Sequence, residues 1–269
     1  MRSIDDQVAE SQMIDAARLV FVGGLHRSGT TLFAKLLTGH PDVSGLSDTG
    51  VWEDEGQHLQ DVYPPAADFG GLGRFAFADR AHLTERSPLV SERSRQRLLR
   101  SWEPYWDASS PLLVEKSPPN LIRFRFLQAL FPGARFIAVV RHPIPVSYAT
   151  QKLHRPWDRP TVYRLIDHWI RAHQIFEDDA SFLDGVIEVR YEDLTRDPKE
   201  VLGRVAEELA IARRFRTLPV AVQADRSERY FAKWRGHLAN PVLGPRRHRR
   251  AQAMDDLVRH WGYSLFEAV

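Results

Sequence analysis

The sequence of 269 residues contains no cysteine. This absence excludes disulfide bonds, thiolate metal sites, cysteine nucleophiles and iron–sulfur clusters. Any chemistry that the protein performs must therefore use oxygen and nitrogen groups.

Long apolar runs are also missing from the chain. No segment approaches the ~18 to 20 uninterrupted apolar residues that a membrane span requires. Residues 1–10 are acidic and polar, whereas a secretory signal peptide has a basic start and an apolar centre. We therefore expect a cytoplasmic protein without a membrane span.

The chain has no large excess of charge of either sign. Its 37 Lys and Arg residues face 35 Asp and Glu residues, which leaves a formal net charge of +2. A general nucleic-acid-binding surface normally shows a clear positive excess, so we expect no nucleic-acid partner. Binding of a small anion must then depend on a local cluster of groups.

Short apolar runs alternate with segments of helical pattern, which is typical of an α/β protein. The runs are apolar on nearly every residue, as in central strands of a parallel sheet covered on both faces; they lie at 18–22, 111–115, 135–140 and 185–190. Helices are predicted at 30–38, 91–107, 121–131, 145–153, 161–180, 198–210 and 251–261. We predict a single domain over 1–269, with three layers and a central parallel sheet flanked by helices.

Two long segments show neither a strand nor a helix pattern. Residues 44–80 contain many glycine, proline and acidic residues, and residues 233–250 contain Pro241, Pro245 and a run of basic residues. Long loops inside a compact domain are usually functional. We therefore predict both segments as long functional loops, and residues 1–16 as an N-terminal extension.

The first predicted strand leads into a glycine-containing turn and then a helix. This order directs backbone N–H groups and the helix dipole at one anion. Counting from Gly24, the spacing matches the nucleotide-binding loop G-x4-G-K-[ST], except that Thr30 replaces the lysine. Because that lysine bridges the β- and γ-phosphates in kinases, its absence favours a shorter anion. Arg27, inside the turn, supplies positive charge, and the fold is predicted to be P-loop-like.

Residues 24–32 resemble the 5′-phosphosulfate loop of sulfotransferases that use 3′-phosphoadenosine 5′-phosphosulfate (PAPS). The following His-Pro-Asp-Val at 40–43 is similar to the protein-tyrosine and heparan-type branches of that family. Residues 135–143, a strand that ends in Arg141 and Pro143, resemble the family's 3′-phosphate motif.

Two further segments agree with this resemblance. Val-Glu-Lys-Ser-Pro at 114–118 is similar to the family's catalytic-lysine strand, and residues 189–194 contain its Tyr-Glu-Asp-Leu segment. The family's paired serine, eight positions after the arginine, would fall at Ala149, and Ser147 and Thr150 lie nearby. Either hydroxyl is a candidate for the 3′-phosphate contact.

The resemblance implies an enzyme that moves a sulfuryl group from PAPS, as co-substrate, to a hydroxyl acceptor without a metal. The acceptor class remains open between small molecules, sugars and tyrosine. The implied donor contacts come from separate segments: Arg27, Ser28, Gly29, Thr30, Thr31, Arg141, Ser147, Tyr191 and Lys233. Several of these residues follow a predicted strand, and ligands of open α/β sheets bind at the carboxyl ends of the strands.

The resemblance assigns Lys116 and Arg27 to the leaving phosphate, but it leaves the base open. The small-molecule branch uses a histidine shortly after the lysine, whereas Ser117 and Pro118 follow here. A carboxylate of the 48–55 loop is then the expected base. Alignment through residues 40–42 selects Asp48, 21 positions after Arg27, or Glu55, 28 positions after it.

Glu53 is a third carboxylate in that loop, and His58 is the next residue to consider. The rival hypotheses are a nucleotide kinase-like phosphoryl transferase, which should carry the loop lysine and a carboxylate for Mg²⁺, and a non-catalytic nucleotide-binding protein of the same fold.

Overall fold

The computed structural model describes residues 14–215 and 227–267. At its centre is a five-stranded sheet in the order β2-β3-β1-β4-β5, and all neighbouring strands are parallel. The strands are β1 (Leu19–Gly24), β2 (Val43–Gly45), β3 (Leu112–Lys116), β4 (Arg135–Val140) and β5 (Ile187–Arg190). The four predicted strands are confirmed within two residues at each end. The three-residue β2 was not predicted, because it is too short to show a pattern.

The described residues form nine α-helices. They are α1 (Thr30–Leu37), α2 (Glu92–Trp102), α3 (Phe124–Leu130), α4 (Pro143–Gln151), α5 (Val162–Ala180), α6 (Tyr191–Arg196), α7 (Pro198–Glu208), α8 (Glu228–Leu238) and α9 (Gly244–Val258). Side-chain caps begin several of them; the Thr161 hydroxyl, for example, accepts a hydrogen bond from the Arg164 amide at the start of α5. The helix predicted over 91–107 ends earlier, and Pro104 lies in the 3-10 turn that follows α2.

Apolar clusters cover both faces of the sheet. Alternate residues of β1 point to opposite faces, so Leu19 and Phe21 join one cluster while Val20 and Val22 join the other. Helices α1, α6 and α7 cover the second face, and the larger cluster contains residues of α2 to α5, α8 and α9. This arrangement confirms the predicted three-layer α/β fold.

The prediction of a loop over 233–250 is wrong. Most of this segment belongs to α8 and α9, and a short connection over 239–243 contains Pro241. Pro245 lies in the first turn of α9, where its missing N–H costs nothing because first-turn amides have no partner within the helix. Trp234 anchors α8, because its buried indole donates a hydrogen bond to the Leu265 carbonyl. Proline and glycine therefore mark a helix start here.

The segment over 44–80 contains neither a long helix nor a long strand, and its functional role stays a prediction. After β2 it contains 3-10 turns at 52–54, 56–58, 66–69 and 75–77 rather than longer elements. The predicted N-terminal extension is wrong at its inner end, because Ile14 and Ala16 are apolar and lie buried in the larger cluster; residues 1–13 lie outside the described residues. Over 14–215 and 227–267, no helix is long and apolar enough to cross a membrane.

We predict that acid destabilises the fold through four buried histidines. Burial lowers the pKa of His26 and His168 to about 3 and that of His142 and His173 to about 4. In the unfolded chain these histidines bind protons near pH 6.5, whereas in the native state they remain neutral at that pH. The free energy of unfolding therefore falls as the pH drops below 6.5. The urea midpoint should be lower at pH 5 than at pH 7.5.

Glu55 and Glu115 oppose this effect. Burial raises the pKa of both carboxylates, so the native state binds their protons more readily than the unfolded chain as the pH falls. They are outnumbered by the histidines. A midpoint that is equal or higher at pH 5 would show that the histidines become protonated without cost in the folded protein.

Candidate functional site

The turn between β1 and α1 has the geometry of an anion cradle. Gly29 precedes α1 with a φ of 102°, and no side chain caps the helix, so the first amides of α1 point out of the turn without a side-chain partner. A Cβ atom at Gly29 would overlap the ring of Tyr191. The buried Ser28 hydroxyl has no hydrogen-bond partner within the described residues. The turn therefore presents donors to a ligand at the carboxyl end of β1.

Arg141 approaches this turn from the end of β4. One Nη donates to the Arg27 carbonyl at 3.0 Å, and the other donates to the Ser227 hydroxyl at 2.9 Å. Its guanidinium carbon lies 3.9 Å from the centre of the Tyr191 ring. The Nε atom is buried and has no partner among the described residues. The structure thus places Arg141 against the ring of Tyr191 and the backbone of Arg27; that these residues bind a donor stays a prediction.

Ser147 and Thr150 lie next to His26, the residue before Arg27. Both line a small cavity of about 10 Å³, whose other lining residues include His26 and His168. Thr150 donates to the His26 carbonyl at 3.4 Å, and the Ser147 hydroxyl has no partner in the described parts of the chain. Arg141 does not line this cavity, so the 3′-phosphate contact of either hydroxyl stays a prediction.

Lys233 lies on α8, the helix that begins directly after Ser227. Its side chain is exposed, and its Nζ atom is 4.5 Å from the centre of the Tyr148 ring. Contact with a nucleotide through this lysine likewise stays a prediction.

Lys116 and Glu55 form a buried ion pair next to the turn over residues 24–30, the predicted phosphate loop. Lys116 ends β3 beside Val22 of β1. Its Nζ donates to the Glu53 carbonyl at 2.8 Å and lies 3.3 Å from Glu55 Oε1. The two side chains are only 6% and 2% exposed, so each charge depends on the other for compensation.

The remaining partners of Glu55 hold its carboxylate in place. Oε2 accepts from the Gln57 side-chain amide at 2.6 Å and lies 3.7 Å from His58 Nε2. Burial raises the pKa of Glu55, and the neighbouring charge of Lys116 partly opposes this rise. A carboxylate with a raised pKa binds a proton more strongly, which is the property that a general base needs.

The other two candidate carboxylates are placed differently. Asp48 and Glu53 are exposed, and Glu53 contacts Lys116 through its carbonyl oxygen. Asp48, Glu53 and Asp54 all have left-handed φ angles between 51° and 54°, which is costly backbone for these residues. Among the described residues, Glu55 is therefore the candidate whose carboxylate pairs with Lys116.

The electrostatic field of the site is positive. Burial is the main cause of the lowered pKa of His26, and the charges of Lys116, His58 and Arg27 lower it further. Lys116 and Arg27, which come from different segments, thus both act on one buried ring. The ring of Trp52, which is half exposed, lies parallel to His26 at a centroid distance of 6.3 Å. The site combines local positive charge with an exposed aromatic face.

A cleft of about 370 Å³ opens beside Lys116. Helix α1, β2 and the following loop form its walls. Its polar lining residues are Thr31, Lys35, Thr38, Ser44, Ser47, Glu53, Asp54 and Lys116. A hydroxyl-bearing molecule in this cleft would lie next to the ion pair.

Sequence reasoning missed two residues of this region, Gln57 and Glu115. Glu115 is buried in β3, directly before Lys116, and a carboxylate inside an otherwise apolar strand is a signal that could have found it. Gln57 gave no such signal.

Over 14–215 and 227–267, no group of three His, Asp or Glu side chains could hold a metal ion.

We predict that Gly29→Ala distorts the phosphate loop, because the left-handed φ and the Tyr191 ring both disfavour a Cβ atom. The expected loss of stability is about 1 to 3 kcal/mol, measured by urea unfolding. Gly236→Ala is the matched control, since nothing lies within 4 Å of its Cβ position inside α8. The control should stabilise by up to about 1 kcal/mol; equal effects of both changes would contradict the strain argument.

Comparison with known proteins identifies the relatives of this chain. A family model described as the sulfotransferase family matches residues 20–214. The omega-hydroxy-beta-dihydromenaquinone-9 sulfotransferase Stf3 of Mycobacterium bovis is 30% identical over 111 residues, which are 37% of this chain and 29% of that protein. The protein-tyrosine sulfotransferase of Drosophila melanogaster is 24% identical over 211 residues, covering 72% and 38% respectively. The matches span well under two thirds of the length of these relatives.

Solved structures share the fold. The sulfotransferase domain of the Synechococcus PCC 7002 olefin synthase superposes with a TM-score of 0.55 at 20% identity, covering 92% of this chain and 95% of that one. Sulfotransferase STF1 of Mycobacterium tuberculosis H37Rv has a TM-score of 0.53 at 19% identity, covering 78% and 70%. At these identities the likeness concerns the fold alone.

Proposed function

Because the chain belongs to the sulfotransferase family, we propose that it moves a sulfuryl group from PAPS to a hydroxyl acceptor by in-line transfer. The observation that carries this proposal is the buried Lys116–Glu55 pair beside the phosphate loop. A cation for the leaving group and a base for the acceptor are the two groups that such a transfer requires.

In this proposal, the donor lies across the carboxyl ends of β1 and β4. The amides of residues 29–31 and Arg27 hold the 5′-phosphosulfate, and Arg141 holds the 3′-phosphate. The Nε of Arg141 has no partner among the described residues, and this atom and the position of Arg141 against Tyr191 support the assignment. Ser28 belongs to the same cradle, and Lys233 and either Ser147 or Thr150 complete the proposed donor contacts.

The proposed reaction breaks one S–O bond and forms another. The acceptor oxygen attacks sulfur while its proton passes to Glu55, and the bond between sulfur and the bridging oxygen breaks. Lys116 has three N–H donors, of which one bonds to the Glu53 carbonyl and one faces Glu55. The third remains to stabilise the charge on the bridging oxygen, together with the loop amides. No step requires a metal.

The acceptor is proposed to enter through the cleft beside Lys116, whose lining combines polar and apolar residues. A small molecule, a sugar and a tyrosine side chain all remain candidates. A screen with labelled PAPS across phenols, sugars, peptides and hydroxylated lipids identifies the class. Titration with ATP, with and without Mg²⁺, tests the phosphoryl-transfer alternative, and transfer of labelled sulfate separates an enzyme from a non-catalytic nucleotide-binding protein.

We predict that Arg141→Ala weakens binding of adenosine 3′,5′-bisphosphate, the product nucleotide, by about 1.5 to 3 kcal/mol, because a hydrogen bond to a charged group is lost. Isothermal titration calorimetry measures the change. Arg100→Ala on the exposed face of α2 is the control and should bind like the parent. Unchanged binding by Arg141→Ala would remove Arg141 from the donor site.

We predict that Glu55→Gln lowers the single-turnover transfer rate by ~10² to 10⁴ while nucleotide affinity stays near that of the parent, because the base is lost. Lys116→Ala should also lower the rate. Asp48→Asn and Glu53→Gln are matched controls in the same loop, since neither carboxylate pairs with Lys116.

The single-turnover transfer rate is measured by rapid quench with the acceptor that the screen identifies. A large loss in Asp48→Asn with none in Glu55→Gln would transfer the role to Asp48. If all three amide variants keep the parental rate, His58 is the next residue to test.

A further inference from the structure

Glu115 is a buried carboxylate that the proposed reaction does not use. It lies in β3 directly before Lys116 and is 1% exposed. One oxygen accepts from the Ser117 hydroxyl at 2.6 Å, and the other accepts from the Asn120 side-chain amide at 2.5 Å. Successive strand residues point to opposite faces, so the carboxylate faces away from the Lys116 side chain.

Its first hydrogen bond leads to the segment that carries Glu55. The Ser117 hydroxyl accepts from the backbone amide of Gln57 at 2.9 Å. Gly56 packs directly on the carboxylate, because a Cβ atom there would lie 2.5 Å from Glu115 Oε1. The Gln57 side chain in turn donates to Glu55. Contacts therefore connect Glu115 with Ser117, Ser117 with Gln57, and Gln57 with Glu55. The ion pair of Glu55 with Lys116, the residue after Glu115, closes this chain of contacts.

Its second hydrogen bond leads to the phosphate loop. Asn120 also donates to the Val22 carbonyl at 3.3 Å, and the Ser117 amide donates to the same carbonyl at 3.2 Å. Val22 is followed at once by Gly23 and Gly24, where the loop begins. One carboxylate thus connects the end of β1 with residues 55–57.

We propose that Glu115 is a positioning residue that holds the Glu55 carboxylate against Lys116 and in register with the phosphate loop. Its value for catalysis rests on the proposed function, in which Glu55 is the base. The positioning itself is a property of the folded chain and can be measured without donor or acceptor.

The ionisation of Glu115 gives this role a pH dependence. Burial raises its pKa to about 7, although the bonds from Ser117 and Asn120 oppose the rise. The charged or titratable groups around it are Lys116 and Glu55, the buried Tyr63 of the long loop, and Arg123. Protonation would turn one of the two acceptor oxygens into an O–H donor and so disturb one of these bonds. The connection should therefore be complete above pH 7 and weaken below it.

The test is the reactivity of Lys116 toward acetic anhydride, measured by mass spectrometry between pH 6 and 9. Lys35, exposed on α1, is the internal reference in the same molecule. Removal of a paired carboxylate lowers a lysine pKa, and each unit raises the free amine fraction about tenfold. Glu55→Gln should therefore raise the ratio of the Lys116 rate to the Lys35 rate several-fold.

If Glu115 positions Glu55, Glu115→Gln raises the same ratio at pH 8, and the double variant with Glu55→Gln shows no further increase. The inflection of the ratio near pH 7 should be present in the parent and absent from Glu115→Gln. Ser117→Ala cuts the connection to Gln57 without changing Glu115 and should also raise the ratio; it replaces Glu115→Gln if that variant does not fold.

The proposal is overturned if folded Glu115→Gln or Ser117→Ala keeps the parental ratio of the Lys116 rate to the Lys35 rate while Glu55→Gln raises that ratio. Urea midpoints of all variants separate a local effect on Lys116 from general loss of stability. A positive result with no sulfate transfer would retain the positioning role and reject the proposed function alone.

Discussion

The buried pairing of Lys116 with Glu55 places strong demands on the surrounding structure. An unpaired charge at such a position would cost several kcal/mol, so the chain must bring a carboxylate from 61 residues away to the end of β3 and hold it there. The left-handed residues at 48, 53 and 54 and the close packing of Gly56 on Glu115 belong to the path that achieves this. Their conformational cost is offset by the compensation of the two charges.

The parallel sheet supplies the other half of the site. β1 lies between β3 and β4, so Lys116 and Arg141 end strands on either side of the phosphate loop. Parallel strands present their carboxyl ends at one edge, where ligands of such sheets bind. Residues far apart in the chain therefore meet around a single turn. Burial lowers the pKa of His26 in this turn, and the charges of Lys116 and Arg27 lower it further.

The long segment between β2 and α2 behaves as a packed cover rather than a solvated loop. Phe75 and Tyr63 are buried in the larger apolar cluster. The buried Arg123 donates to the carbonyls of Ala81 and Pro64, which satisfies backbone groups that lie outside regular elements. Such anchoring allows a segment without long helices or strands to hold Glu55 at a defined position.

The sequence by itself determined the four main strands, the glycine turn between β1 and α1, and the positions of Lys116 and Arg141 at strand ends, because hydrophobic period and glycine spacing are local properties. It could not show which of Asp48 and Glu55 pairs with Lys116, find β2 or Glu115's partners, or recognise α8 and the first half of α9 around Pro241 and Pro245. Those features depend on the path of the 46–81 segment and on packing against distant residues such as Leu265. Only the tertiary structure decided them, because burial and charge pairing exist only once the segments are brought together.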